Sequence, residues 1–197
     1  TFLWRAAGKP DPASSESPFS DVKEGAYYYN AVLWAVETGI TNGTSDTTFS
    51  PDATCTRAQI VTFLWRYEEQ PAPAGTSNPF ADVKPSAYFG SAVLWAVERG
   101  ITNGTSDSTF SPDEGCTRAQ VVTFLWRAAG KPEPASSKKP FTDVAETTYY
   151  YKAVLWAVEN GVTTGKTATQ FAPGATCTRC EVAAFMFRAF SKGITAK

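Results

Sequence analysis

The chain repeats one unit three times with an unvarying period. Phe19, Phe80 and Phe141 each open an F-x-D-V motif and stand 61 residues apart. Trp34, Trp95 and Trp156 keep that spacing, as do Cys55, Cys116 and Cys177. A repeat of this size is one supersecondary unit that cannot bury its apolar face alone, so the copies must share a core. The units are read as 19–79, 80–140 and 141–197. Residues 1–18 are read as the tail and linker of a preceding copy, because TFLWRAAGKP at Thr1 returns at Thr123. That return marks the chain as an excised fragment.

Each unit reads as helix, loop, helix, linker. AYYYNAVLWAVET predicts a helix over Ala26–Thr38, stopped by Gly39. NGTSDTTFSPDAT is dense in turn formers. A second helix is predicted from Arg57 to Glu68. Thr56 and Gln59 fit a capping box, in which each side chain bonds the other's backbone N–H, and Cys55 and Ile60 fit a hydrophobic staple. Thr178 and Glu181 repeat the box in the third copy. The linkers KPDPASSESP, QPAPAGTSNP and KPEPASSKKP read as extended and exposed. The expected fold is all-α: three tandem helix-loop-helix repeats in a compact, pseudo-threefold, three-pronged arrangement. The leading TFLWRAAG would supply a helix half that pairs with the first full unit.

Composition narrows the function. A hydrophobic content of 43% and an aromatic content of 14% suit a packed core. A net charge of -1 without any basic run argues against a nucleic-acid partner. No apolar stretch approaches the ~20 residues of a membrane helix, so no membrane insertion is expected. With no histidine, the commonest general base and zinc ligand are missing. Neither catalysis nor a metal or cofactor is expected. Cys177-x-x-Cys180 is a lone CxxC, and Asp46 and Asp52 lack the acid density and closing glutamate of a calcium loop. The cysteines read as small buried hydrophobes, kept apart and inert, with a disulfide left open.

Candidate binding residues cluster at the second helix. Thr56-Arg57, Thr117-Arg118 and Thr178-Arg179 each put an arginine just after an N-cap threonine. A cation is the wrong sign for that end of a helix dipole. A bound anion would resolve the mismatch, because free N–H groups favour it and guanidinium offers a planar fork for carboxylate or phosphate. The alternative is that Arg57 pairs with a nearby acid such as Asp52, or is solvated. Trp34, Trp95 and Trp156 share a face with polar residues such as Asn30 and Glu37. They read either as sugar-stacking platforms or as core fillers between repeats. Trp65 and Trp126 read as core.

These features together resemble the S-layer homology repeat of Gram-positive surface proteins. The resemblance rests on F-x-D-V, the Trp-bearing helix, G-I/V-T-x-G, F-x-P and the threonine-arginine box. It implies a three-pronged, mostly helical monomer located at the cell surface or wall. It also implies non-covalent anchoring to a secondary cell-wall polysaccharide, often through a pyruvate ketal whose carboxylate meets the box arginine in grooves between repeats. Thr56, Arg57, Thr117, Arg118, Thr178 and Arg179, with Trp34, Trp95 and Trp156, are the residues this implicates. A protein-interaction or self-assembly module that keeps the fold without sugar binding is the alternative. The box reads TRAQ twice and TRCE once. In copy three, Asn42 and Asn103 become Thr164, Asp46 and Asp107 become Ala168, and Asp52 and Asp113 become Gly174. On that count the groove of Arg179 is expected to be the least complete.

Overall fold

A computed structural model describes residues 16–75, 77–136 and 139–190. Among these residues there are six helices and no β-strand, only isolated bridges. They are α1 (Tyr29–Glu37), α2 (Arg57–Tyr67), α3 (Gly90–Glu98), α4 (Arg118–Ala128), α5 (Tyr151–Glu159) and α6 (Arg179–Phe190). None of the described helices is long and apolar enough to cross a membrane.

The first helix of each repeat is shorter than predicted. In the first copy, Ala26 N–H and Tyr29 N–H close tight turns onto the carbonyls of Lys23 and Ala26, and α1 starts only at Tyr29, with no side chain capping it. It stops as expected: Gly39 takes φ +72 and its N–H bonds the Val36 carbonyl. The second helices begin at Arg57, Arg118 and Arg179, where the capping boxes place them. Thr56 Oγ1 accepts from Gln59 N–H at 3.3 Å while Gln59 Oε1 accepts from Thr56 N–H at 3.1 Å. Thr117 with Gln120 and Thr178 with Glu181 do the same.

Nine-residue helices such as α1 have little stability of their own, so packing must supply it. That packing runs between repeats. α2 packs on α3, α4 packs on α5, and α6 returns to pack on α1. Each repeat thus lends its second helix to the first helix of another, and the third lends its own to the first. The proposed partner of the first unit, TFLWRAAG, lies outside the described residues, and α6 covers α1.

A hub of backbone hydrogen bonds ties the repeats together. Cys55 N–H bonds the Cys177 carbonyl, Cys177 N–H bonds that of Cys116, and Cys116 N–H bonds that of Cys55, each at 2.9 Å. The three cysteines are buried and unoxidised, with no disulfide. The thiols thus stay unpaired, as expected, but the residues themselves are not separate. Their main chains meet at the point where the three repeats join. Burial pushes the Cys55 and Cys177 thiols up to about 12 and that of Cys116 well above its usual range.

The linkers are pinned on the helix of the following repeat. Glu98 on α3 accepts from Ala74 N–H and Gly75 N–H at 2.9 and 2.7 Å. Glu159 on α5 does the same for Ala135 and Ser136. Trp65 Nε1 donates to the Pro71 carbonyl and Trp126 Nε1 to that of Pro132, both at 2.8 Å. These two indoles are half-buried at the linker start. They pack against the core at its edge, as expected, with their N–H groups satisfied by the linker backbone.

Candidate functional site

All three box arginines are buried, at 2 to 3% exposure. Each reaches into the next repeat. Arg57 Nε donates to the Phe110 carbonyl at 2.8 Å, Arg118 Nε to Phe171 at 2.9 Å and Arg179 Nε to Phe49 at 2.8 Å. Each guanidinium also lies between two phenylalanine rings of that repeat. For Arg57 these are Phe110 and Phe124, at 4.8 and 5.5 Å from the ring centres. For Arg118 they are Phe171 and Phe185, and for Arg179 Phe49 and Phe63. Cation–π attraction of this kind strengthens as water is excluded.

The F-x-D-V motif explains how the accepting carbonyl is aimed. Asp82 takes Phe110 N–H and Ser111 N–H at 2.8 and 2.7 Å. Ser111 sits at φ +58, a conformation that costs a residue with a side chain about 1–2 kcal/mol. The carboxylate holds that turn, and the turn presents the Phe110 carbonyl to Arg57. Asp21 does this at Phe49 and Ser50, and Asp143 at Phe171 and Ala172.

The helix N–H groups that the sequence reading offered to an anion already have partners within the chain. Arg57 N–H bonds the Glu114 carbonyl and Ala58 N–H that of Pro112, at 2.9 and 3.0 Å. Together with the capping box, these bonds occupy the donors of the first turn, N-cap included. The same holds for α4, through Ala175 and Pro173, and for α6, through Ala53 and Pro51. Thr56, Thr117 and Thr178 therefore serve as caps, with their hydroxyls turned to their own helices. What remains at the helix start is the arginine side chain itself. Its mismatch with the helix dipole is relieved by a carbonyl and two aromatic faces of the neighbouring repeat.

Arg57 lines a cleft of about 370 Å³ with Asn103, Thr105, Gln120, Arg127 and Tyr149. All three repeats contribute to it. Arg57 Nη2 is buried without a hydrogen-bond partner, and so is Arg179 Nη2. Neither arginine forms a salt bridge among the described residues, so the proposed Arg57–Asp52 pair is absent. Burial pulls both guanidinium pKa values down, nearby anionic groups only partly offsetting it. Arg118 differs: its Nη1 lies 3.7 Å from Glu181 Oε1.

Trp34, Trp95 and Trp156 are at most 5% exposed. They cannot stack on an external sugar where they stand. Trp34 is caught between Tyr67 of α2 and Phe187 of α6, at ring distances of 6.0 and 5.7 Å. The face that looks polar on an isolated α1 is covered because helices of two repeats close over it. Core filling, the other reading of these residues, is what the structure has.

The exposed aromatic side chains are ones the sequence reading missed: Tyr27, Tyr88 and Tyr149, each 62 to 63% exposed. Tyr149 shares the cleft of Arg57 and Arg127. Tyr88 lies within electrostatic reach of Arg179 and Arg66, and Tyr27 of Glu181 and Arg188. Their 61-residue spacing was available as a signal, but nothing local separates them from the neighbouring tyrosines in "AYYYN".

Three helical repeats are thus interlocked across their boundaries, and all three contribute to the cleft at Arg57. Comparison with known families is specific. The model of the S-layer homology domain matches residues 18–61, 79–122 and 140–183, and the chain belongs to that family. The surface-layer 125 kDa protein of Lysinibacillus sphaericus is 34% identical over 119 residues, 60% of this chain and 10% of that protein. An endoglucanase of Bacillus sp. (strain KSM-635) is 38% identical over 112 residues, 57% of this chain and 12% of the enzyme. The cellulosome-anchoring protein of Acetivibrio thermocellus is 26% identical over 159 residues, 78% of this chain and 34% of that protein. The chain thus spans only a minor part of the relatives it matches.

Proposed function

We propose that this chain is a non-covalent cell-wall anchoring module that holds an anionic, pyruvylated secondary cell-wall polysaccharide in its inter-repeat clefts. It works at the cell surface as a three-repeat monomer, without catalysis of its own. The observation that carries this reading is the buried, unpartnered Nη2 of Arg57 beside a cleft whose lining adds a second cation, Arg127, to the neutral hydrogen-bonding groups of Asn103, Thr105 and Gln120. A buried donor without an acceptor costs roughly 1–3 kcal/mol, and a carboxylate oxygen would recover it as a charge-assisted bond. Tyr149 offers an aromatic face to the sugar ring at the cleft mouth. The recurrence of one chemistry on a single chain suits a polymer with a repeating epitope, since linked weak sites gain through effective concentration. The names of the relatives agree with the reading: one is a surface-layer protein, one anchors cellulosomes, and an endoglucanase matches over a small part of its length.

The test is sedimentation with purified Gram-positive sacculi, before and after chemical removal of the secondary polysaccharide. The expected result is binding that disappears on stripping, and that disappears on unstripped sacculi when Arg57 and Arg179 are both replaced by lysine. Lysine keeps the charge but loses the planar fork. Binding that survives stripping would overturn the reading.

A further inference from the structure

The surroundings of the three box arginines are unequal, and the inequality falls elsewhere than the sequence places it. Each arginine projects onto the following repeat, so the altered loop of copy three does not surround Arg179. Arg179 lies between Phe49 and Phe63 of the first repeat, whose Asn42, Thr44 and Gln59 keep the common residues. Arg118 meets the altered copy. There Thr164 replaces asparagine, Lys166 replaces threonine and Glu181 replaces glutamine.

Those replacements set an internal ion pair beside Arg118. Glu181 Oε1 stands 2.9 Å from Lys166 Nζ and 3.7 Å from Arg118 Nη1. Its other oxygen accepts from Thr178 N–H at 3.0 Å, so the carboxylate is held from both sides. Lys166 and Glu181 cancel in formal charge. The setting of Arg118 therefore differs in free hydrogen-bonding capacity and not in net charge. Buried nitrogens without a partner occur on Arg57 and Arg179, and Arg118 has none.

We infer that the guanidinium groups of Arg57 and Arg179, each with an unpartnered nitrogen, are available carboxylate sites, whereas the chain's own Glu181 takes the ligand's place beside Arg118, so that the module engages two anionic sugars and not three. This rests on the anchoring reading above. A tethered competitor acts at millimolar or higher effective concentration, so a ligand carboxylate beside Arg118 should bind at least about tenfold more weakly.

The experiment is calorimetric titration of the whole chain with a methyl hexoside bearing a pyruvate ketal. Wild type should show two sites. Glu181→Gln should show three, because glutamine keeps the acceptor for Thr178 N–H, as Gln59 and Gln120 do for their own boxes, while releasing Arg118 and Lys166. Gln120→Glu should leave one site, by closing the cleft of Arg57. Thermal melts within a few degrees of wild type would show that both variants fold. Three equal sites in wild type, or two in both wild type and Glu181→Gln, would overturn the inference and leave anchoring intact. No heat from a chain that still sediments with sacculi would also overturn it, because the sites would then not be for carboxylates. No heat together with no sedimentation would overturn the anchoring reading itself.

Discussion

Arg179 Nε donates to the carbonyl of Phe49 at 2.8 Å, so the last helix of the chain is bonded to the loop of the first complete repeat, 130 residues away. The same step joins Arg57 to Phe110 and Arg118 to Phe171. The arginine at the helix start is thus both the contact between repeats and the charged wall of the cleft. The structural role of this side chain and the binding role proposed for it meet in one group, and the experiments below separate them.

Asp82→Ala should both destabilise the chain and weaken binding. It removes the acceptor for Phe110 N–H and Ser111 N–H, and Ser111 is already in the left-handed region. Loss of one partly buried and one exposed bond to a carboxylate should cost about 1.5–3 kcal/mol, read as a lower urea midpoint. Sugar affinity at Arg57 should fall further than at Arg179, because only the first depends on the Phe110 carbonyl.

Two glycines with similar φ should respond differently to alanine. At Gly104, φ is +83 and a Cβ would lie 2.5 Å from Phe80 Cε1 and from the Thr109 carbonyl. At Gly130, φ is +88 and nothing lies within 4 Å. Gly130→Ala should cost only the left-handed penalty, about 1–2 kcal/mol. Gly104→Ala adds a steric clash with backbone and should cost at least about 1–3 kcal/mol more, as overpacking does. Paired urea denaturation curves measure the difference.

Glu181 should make stability depend on acid pH. Burial pushes its carboxyl up, but the Lys166 hydrogen bond, the Thr178 N–H and the charges of Lys166 and Arg118 outweigh that and leave it lowered. A lowered carboxyl pKa stabilises the fold above the unfolded value, about 4.3, and that contribution is lost as pH falls through the folded value. The Glu181→Gln variant should lose less stability than wild type between pH 5 and the acid limb. Parallel curves for the two proteins would count against the assignment.

The cysteines should be silent in the native protein. Thiols held up to about 12, as at Cys55 and Cys177, offer almost no thiolate at pH 8, and burial denies access to all four. A thiol reagent should react at the rate of unfolding, and should count four thiols at once in denaturant. Fast native-state labelling would contradict the buried hub.

Much of the fold could be read from local patterns. The Thr56–Gln59 box and the Gly39 stop depend on neighbours three or four residues away, so the sequence marks where α2 begins and α1 ends. The period of 61 residues likewise announces three equivalent units with a shared core. The arginines could be named as candidates because a cation at a helix start is anomalous by itself.

What required tertiary structure is which repeat meets which. Asn30 and Glu37 suggest a polar face for Trp34, but α2 and α6 cover it. Free N–H groups at Arg57 suggest an anion site, but carbonyls of Glu114 and Pro112 fill them. The altered loop of copy three suggests a weak cleft at Arg179, yet that loop faces Arg118. Each difference has one cause: helix periodicity and caps are set by residues a turn apart, whereas burial, hydrogen-bond supply and cleft membership are set by a neighbouring repeat dozens of residues away. Sequence by itself determined the unit and its repetition, and only the packing of one repeat against the next decided what each unit exposes.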